Sequence, residues 1–350
     1  VRGVAEFPTY FEGLETDILY VQDDHFVLVD KETQEGRVLN TFTVKDRAGN
    51  ISWLKDGNKF LFTDAPQSFL PEDENNLYCY DLNDATLSNL HLTVSNLYVS
   101  PWEDAFIFTQ SLNDDYIYEM YLYDLSNNTQ YDVVNVLTDH FVNDSTSIIY
   151  ISPLEVIWKE ESLFRVYFHT WTTTSDSSTF AMFYRANISY QGGTLDLVQY
   201  QDIRSLPSGI FLSDSLFVFK SSSEIGTYLL NVDTGDTTIM SSTRSSFVRY
   251  IPQNQTILYK RRPEGSTFGS DNNLWGYNLQ GGSEYNLFPD AMNVFNVSIS
   301  PSGNQVLCTA DLWLDGYSLN VWIFNSDGTG HTVVSNPAFS NKNPVFRPSF

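Results

Sequence analysis

The sequence predicts an all-β fold in which seven four-stranded antiparallel sheets form the blades of a closed ring. Three observations support this. Short runs of alternating polarity, typical of half-buried strands, recur throughout the 350 residues. Turn sequences rich in Gly, Asn, Asp and Pro separate these runs. The unit of four runs repeats at intervals of 39 to 58 residues, and a four-stranded unit of about 40–50 residues is typical of a β-propeller.

The clearest unit spans residues 297–334. Its strands and turns follow one another as 297–300 (strand), 301–304 (turn), 305–309 (strand), 319–324 (strand), 325–330 (turn) and 331–334 (strand). Gly303 and Gly328 stand in the two turns, where a positive backbone dihedral costs glycine least. One such sheet cannot bury both of its faces alone, whereas a ring of them can.

The remaining chain repeats this unit with weaker sequence similarity, and we predict a single propeller domain over residues 1–350. The approximate blades are 1–46 together with 343–350, 47–95, 96–153, 154–204, 205–242, 243–290 and 291–342. The repeat loses phase in the third of these, so we assign 138–153 to an insertion. The alternative is an irregular unit at this point.

The two chain ends predict how the ring closes. The first unit is rich in later strands, and the chain stops on an orphan first strand at 344–348. Pairing Val345 and Phe346 into the first blade would join the ends and remove exposed strand edges. The alternative is that 9–11 fill that position. Seven blades follow in either case, with six or eight as the neighbouring counts.

Composition excludes some partners. The chain has 43 acidic and 19 basic residues and a net charge of −24, which disfavours nucleic acid and anionic lipid surfaces. No apolar window approaches the length of a membrane span, so we expect no membrane insertion within this segment. Two cysteines and five scattered histidines lack the spacing of metal ligands. We therefore expect no metal and no cofactor.

The long loops are the best functional pointer. The loops 64–75, 110–118, 170–179, 261–273 and 311–318 all connect second to third strands, and antiparallel strands bring them to one face of the ring. We call this the long-loop face. Its candidate binding residues combine aromatic and charged side chains: Phe69, Glu72, Asp73, Asp114, Asp115, Tyr116, Trp171, Arg261, Arg262, Phe268, Trp313 and Asp315. The alternative is that these are ordinary solvated loop residues, with Lys260–Arg262 a local counter-charge.

No catalytic motif is present. A Gly-x-Ser-x-Gly elbow is missing from the sequence, since 265–269 places its serine one position early, and no hydrolase domain follows the repeats. We therefore assign no catalytic residues and expect a non-enzymatic role.

Four segments carry a family resemblance: 300–303 (Ser-Pro-Ser-Gly), 307–309, 321–330 and 343–348. They resemble the repeats of TolB-like propellers, a WD40-like group that includes the N-terminal propellers of dipeptidyl peptidase IV relatives. The resemblance implies the propeller fold without the hydrolase domain. It also implies an extracytoplasmic binding platform, periplasmic or secreted, since few members are enzymes. Those few include pectin-fragment lyases with a histidine-bound metal.

These observations lead to two functional hypotheses. The first is a non-catalytic extracytoplasmic scaffold that engages a protein or peptide through the long-loop face, as the sensor or interaction domain of a larger protein. The alternative is a lyase-like carbohydrate-active enzyme, or a sugar-binding propeller, that uses the central funnel with Trp171 and Trp313. Convergence of histidines and carboxylates on the funnel would favour the enzyme.

Overall fold

The fold was obtained as a computed structural model. It describes residues 13–39, 44, 49–64, 76–112, 117–141, 148–173, 179–191, 193–202, 209–213, 215–220, 226–242, 245–261, 273–289, 291–312, 319–335 and 341–348. These residues form seven four-stranded antiparallel sheets. The predicted fold class and blade count are therefore confirmed.

The first half of the chain contains eleven strands and one helix. In chain order they are β1 (Ile18–Gln22), β2 (His25–Val29), β3 (Gly36–Val38), β4 (Gly49–Trp53), β5 (Lys59–Asp64), β6 (Asn76–Asp81), β7 (Thr86–Thr93), β8 (Asn96–Val99), β9 (Ala105–Leu112), β10 (Ile117–Asp124), β11 (Thr129–Asp132) and α1 (Val133–Phe141).

The second half contains strands alone among its described residues. They are β12 (Ile148–Glu160), β13 (Leu163–Thr173), β14 (Thr179–Gln191), β15 (Thr194–Asp202), β16 (Gly209–Phe211), β17 (Leu216–Lys220), β18 (Thr227–Asn231), β19 (Thr237–Ser241), β20 (Ser245–Ile251), β21 (Thr256–Arg261), β22 (Asn273–Asn278), β23 (Ser283–Asn286), β24 (Ala291–Ile299), β25 (Gln305–Leu312), β26 (Asn320–Asn325), β27 (Thr332–Val333) and β28 (Asn341–Phe346).

Six blades take four consecutive strands each, from β4–β7 (blade 2) to β24–β27 (blade 7). Blade 1 has the order β28-β1-β2-β3. The first strands of neighbouring blades contact one another, β24 with β28, β28 with β4, and β4 with β8. These first strands therefore lie at the centre of the ring.

The ring closes through the two chain ends, as predicted. Strand β28 pairs with β1, so that Ile18 lies opposite Phe346 and Leu19 opposite Val345. Residues 9–11, the alternative for this position, lie outside the described residues. Closure leaves each blade with a neighbour on both faces, which is what a single sheet lacks.

Seven apolar clusters fill the seven seams between blades. Phe26 of blade 1, for example, contacts Phe60 and Phe62 of blade 2, with ring centroids 4.9 and 4.7 Å apart. Each such side chain contributes about 2–3 kcal/mol when it is fully buried. The core is therefore a ring of interfaces, and no blade buries its own faces alone.

Tight turns between third and fourth strands are fixed by one recurrent side chain. Asp or Asn ends the third strand in blades 2, 3, 5 and 6 and directly follows it in blade 1, and its Oδ1 accepts hydrogen bonds from backbone amides two or three residues on. The residues concerned are Asp30, Asp81, Asp124, Asn231 and Asn278. Asp and Asn residues that can be read in the sequence thus fix the tight turns on the face opposite the long loops.

The predicted insertion at 138–153 is wrong in part. Helix α1 occupies the connection and buries Val133 and Leu137 in the seam of blades 3 and 4. Strand β12 then begins at Ile148, so residues 148–153 belong to the inner strand of blade 4. The repeat loses phase in this stretch, and the structure has a register shift there between Pro153 and Glu155. A bulge tolerates proline within a sheet.

Two predicted loops are also largely strand. Strands β9 and β10 leave only 113–116 between them, and β13 and β14 leave only 174–178. The polar, Thr-rich stretch after Phe168 predicts a loop, but threonine is β-branched and suits a strand. Strands β13 and β14 of blade 4 consequently pair at eleven positions, whereas β9 and β10 of blade 3 pair at eight.

Candidate functional site

The inner strands wall a central channel, and bulges shape that wall. One extra residue is inserted in β4 between Gly49 and Ser52, in β24 between Phe295 and Ser298, and in β28 opposite the step from Leu19 to Val21. A bulge bends the strand and re-aims a side chain. Three consecutive blades, 7, 1 and 2, therefore present an irregular wall at the same height.

Asparagine occupies each of these three bulges. Asn50, Asn296 and Asn343 have φ values of 47°, 46° and 51°, in the left-handed region that asparagine tolerates better than most residues. Each stands three residues before the last residue of its strand. The bulge is therefore a repeated feature of the inner strands of blades 7, 1 and 2.

The bulges border a cavity of about 390 Å³. Its walls come from the inner strands of blades 1, 2, 6 and 7, and the lining residues are Asn50, Ile51, Arg249, Asn296, Val297, Ser298, Ile299, Asn343, Pro344 and Val345. Asparagine amides, one serine and one guanidinium provide its polar groups. A concave, mostly preformed pocket of this size is typical of ligand sites.

Arg249 enters the cavity from blade 6. It follows a register shift in β20 between Phe247 and Arg249, and its side chain is exposed. Arg249 is the one cation among the residues that line the cavity. A guanidinium presents five donors in a fixed planar arrangement, which suits carboxylates and phosphates.

Glu155 lies on the inner strand of blade 4, directly after the shift at Pro153. Burial raises the pKa of its carboxyl to about 7, and the charge of Arg249 opposes this effect. Tyr98, on the inner strand of blade 3, has a pKa raised by burial and by the charge of Glu155. Glu155 is not among the residues that line the cavity, but its charge interacts with that of Arg249, which does line it.

The described ranges contain no group of three or more His, Cys, Asp or Glu side chains arranged to hold an ion. They also contain no helix that is long and apolar enough to span a membrane.

The predicted binding residues lie mostly outside the described part of the chain. This holds for Phe69, Glu72, Asp73, Asp114, Asp115, Tyr116, Arg262, Phe268, Trp313 and Asp315. Trp171 is placed by its backbone, which pairs with Tyr150 and Ala181 in blade 4. Their role in binding stays a prediction.

Arg261 is the predicted site residue that the structure describes in full. Its side chain is 12% exposed, pairs with Glu284, and lies 4.1 Å from the ring centroid of Trp275. These contacts lie within blade 6. The interpretation of Lys260–Arg262 as a binding site or as a local counter-charge stays a prediction.

Sequence reasoning missed Asn50, Asn296, Asn343, Arg249 and Glu155. The asparagines did leave a signal, because each precedes the final residue of a first strand by three positions. Arg249 and Glu155 were a further signal, because each is a charged residue with an apolar or aromatic residue on both sides in its first strand. Neither pattern shows without knowledge of which strands are innermost.

Comparison with known proteins supports the fold. No protein-family model matches the sequence, and no curated protein matches it. Among solved structures the chain is similar to TolB from Acinetobacter baumannii (16% identity, TM-score 0.51, covering 98% of this chain and 68% of that one). The chain has a TolB-like β-propeller fold.

Two further solved structures have the same architecture. The β-propeller domain of the trilobed protease from Pyrococcus furiosus is 12% identical, with a TM-score of 0.51 and coverage of 83% of each chain. That domain is described as having an open velcro topology, whereas β28 closes the present ring. An oligogalacturonate lyase in complex with manganese is 14% identical, with a TM-score of 0.51, covering 93% of this chain and 86% of that one. At these identities the likeness establishes the fold alone.

Proposed function

We propose that this protein is a non-catalytic binding propeller, which engages a protein or peptide through the long-loop face and receives an extended segment of that partner in the channel. The observation that carries the proposal is the cavity of about 390 Å³ between the inner strands of four blades. Each inner strand pairs on one side only within the described sheets. Its other edge offers backbone donors and acceptors to an extended ligand.

The proposal includes a location outside the cytoplasm, periplasmic or secreted, as a sensor or interaction domain. The support is the resemblance to TolB-like propellers together with the fold shared with TolB. Fractionation of cells that produce the native gene product, followed by immunodetection, tests this part of the proposal. Recovery in the cytoplasmic fraction alone would contradict it.

A peptide selection tests the binding role. Random peptides displayed on phage are selected on the immobilised protein, and binding of the synthetic winners is measured by fluorescence anisotropy. Ser298→Tyr fills the cavity from β24 and is expected to weaken binding at least tenfold. Ser88→Tyr, at an exposed position of the outer strand β7, serves as the matched control. Equal binding to both variants would overturn the proposal.

A second candidate function is favoured by Glu155. A carboxyl with a pKa of about 7 can act as general acid or base near neutral pH, so the channel suits a carbohydrate-active enzyme. Incubation with neutral and uronic acid oligosaccharides, followed by chromatography of the products, tests this candidate. We expect turnover that Glu155→Gln abolishes if the second candidate is correct. Intact oligosaccharides with the native protein would exclude it.

A further inference from the structure

We infer that the channel cavity recognises a carboxylate group of its ligand, with Arg249 as the principal contact. The inference rests on the proposed function, because the carboxylate belongs to the peptide segment that enters the channel. It is carried by the charge of the lining, the disposition of the donors and the shape of the wall.

The charge of the lining is opposite to that of the molecule. The chain carries 43 acidic and 19 basic residues, yet the ten residues that line the cavity include Arg249 and no carboxylate. A guanidinium in a concave site attracts an anionic group locally, while the acidic outer surface repels anions. The carboxyl of Glu155, whose charge interacts with that of Arg249, competes for the guanidinium when it is ionised.

Neutral donors line the same cavity as the guanidinium. Asn50, Asn296 and Asn343 bring amide groups to the cavity wall from three inner strands, and each amide has two N–H donors. Ser298 Oγ accepts a hydrogen bond from the backbone N–H of Phe346 at 3.3 Å, so its hydroxyl proton is available for donation. A carboxylate has about four acceptor sites and satisfies several such donors at once.

The wall is built to hold these donors in place. The three asparagines adopt positive φ at bulges that interrupt hydrogen-bonded ladders, so their backbones are fixed by the flanking pairs. Their rigid placement lowers the entropy lost on binding.

The test uses a peptide from the selection, synthesised in three forms: the free acid, the C-terminal amide, and a form with Asp and Glu replaced by Asn and Gln. Each is titrated against the native protein and against Arg249→Gln. We expect loss of the recognised carboxylate to weaken binding to the native protein at least tenfold and to Arg249→Gln less than twofold. The form that loses affinity shows whether the carboxylate is the C-terminus or a side chain.

Arg249→Lys gives an independent measure, because it keeps the charge and loses the planar fork. Its affinity for the free acid should fall between those of the native protein and Arg249→Gln. At pH 8, Glu155→Gln removes a competing negative charge and should tighten binding of the free acid. Ser298→Tyr separates the two possible failures. Peptides that bind Ser298→Tyr as well as the native protein contradict the proposed function. The other failure is a peptide that does not bind Ser298→Tyr but whose three forms bind the native protein equally well. That result overturns the carboxylate inference alone.

Discussion

Glu155 shows how burial of one side chain in the channel couples stability to pH. Its folded pKa of about 7 lies above the ordinary glutamate pKa of 4.5. Between these two values the folded protein keeps a proton that the unfolded chain releases. Stability is therefore unaffected below pH 4.5, falls as pH rises from 4.5 to 7, and stays reduced above 7.

Glu155→Gln should remove this pH dependence. The variant should be more stable than the native protein above pH 7, by up to about 3 kcal/mol, and equally stable near pH 4. Urea denaturation at intervals between pH 4 and 8 measures the difference. Glu160→Gln, at an exposed position of the same strand, is the control. A constant difference across this range would contradict the assignment.

Asp124 shows the opposite behaviour. Burial alone would raise its pKa, but hydrogen bonds from Tyr190, Asn127 and the Ser126 amide outweigh burial and lower it. The hydroxyl of Tyr190 donates across the seam of blades 3 and 4 to Asp124 Oδ2 at 2.5 Å. Because the folded pKa is depressed, this stability is present above pH 3.8 and is lost as pH falls through the folded value.

Tyr190→Phe should therefore cost about 1.5–3 kcal/mol at pH 7, and less at pH 3. Tyr285→Phe is a matched control, since Tyr285 donates to the neutral carbonyl of Ser326 at 3.0 Å across another seam. Its cost should be smaller and independent of pH. Urea midpoints of both variants at pH 7 and pH 3 test the comparison, and a pH-independent loss in Tyr190→Phe would contradict it.

At the same scale, the sequence predicts side chains that act locally and misses those that act across the ring. The Asp and Asn residues that end third strands bind amides of the next few residues, so their turns are readable in the sequence. Arg249 and Asn296 line the same cavity only because the inner strands of blades 6 and 7 lie side by side. Their proximity depends on register and closure, which no local pattern encodes.

Among the elements, the seam between blades 4 and 5 has the fewest buried apolar residues of the seven seams in the described ranges. Its cluster contains three buried residues, Tyr167, Phe211 and Phe217, whereas the seam between blades 3 and 4 contains twelve. Strand β16 has three residues, against thirteen in its neighbour β12. Fewer buried apolar contacts imply a lower free energy of local opening.

Hydrogen exchange measured by mass spectrometry should therefore show blade 5 opening first. Peptides covering β17 and β18 are expected to exchange at least tenfold faster than those covering β25 and β26, which belong to a larger cluster. The comparison within one sample needs no variant. Equal protection of the two pairs of strands would show that apolar burial does not control opening here.

Element boundaries show where sequence reasoning stops. The four-strand repeat was predictable because alternation and turn residues are local. The sequence does not predict helix α1, because nine residues give too short a periodic signal. The start of β12 is also not predicted, because the register shift at Pro153 interrupts the regular strand pattern. The lengths of β13 and β14 follow from mutual pairing, which depends on partner strands as much as on composition.

At the scale of the whole molecule, Arg347 fastens the closing strand. Its guanidinium donates to Asp17 Oδ2 at 2.6 Å, to the carbonyl of Gly57 at 2.8 Å and to Asn58 Oδ1 at 3.2 Å. These partners belong to blades 1 and 2, while Arg347 directly follows β28. The chain ends are thus joined by side-chain contacts as well as by strand pairing.

Arg347→Met should lower the free energy of unfolding by about 2–3 kcal/mol, since charge-assisted hydrogen bonds are lost and Asp17 is left half-buried. Lys31→Met is the control, because Lys31 makes an exposed pair with Glu32 at 3.8 Å and should cost under about 0.5 kcal/mol. Urea denaturation of both variants measures the difference. Equal losses of stability would show that the contacts of Arg347 contribute nothing to closure of the ring.

The channel, its cavity and the proposed binding all require a ring closed by β28. The most direct measurement is disulfide formation in the double variant Leu19→Cys/Val345→Cys, whose positions lie opposite each other in β1 and β28. Directly opposed strand residues are close enough for a disulfide. Mild oxidation followed by peptide mass spectrometry should give a near-complete 19–345 link, while native Cys79 and Cys308 stay free. Cysteines 19 and 345 that remain reduced in the folded protein would contradict the closed ring.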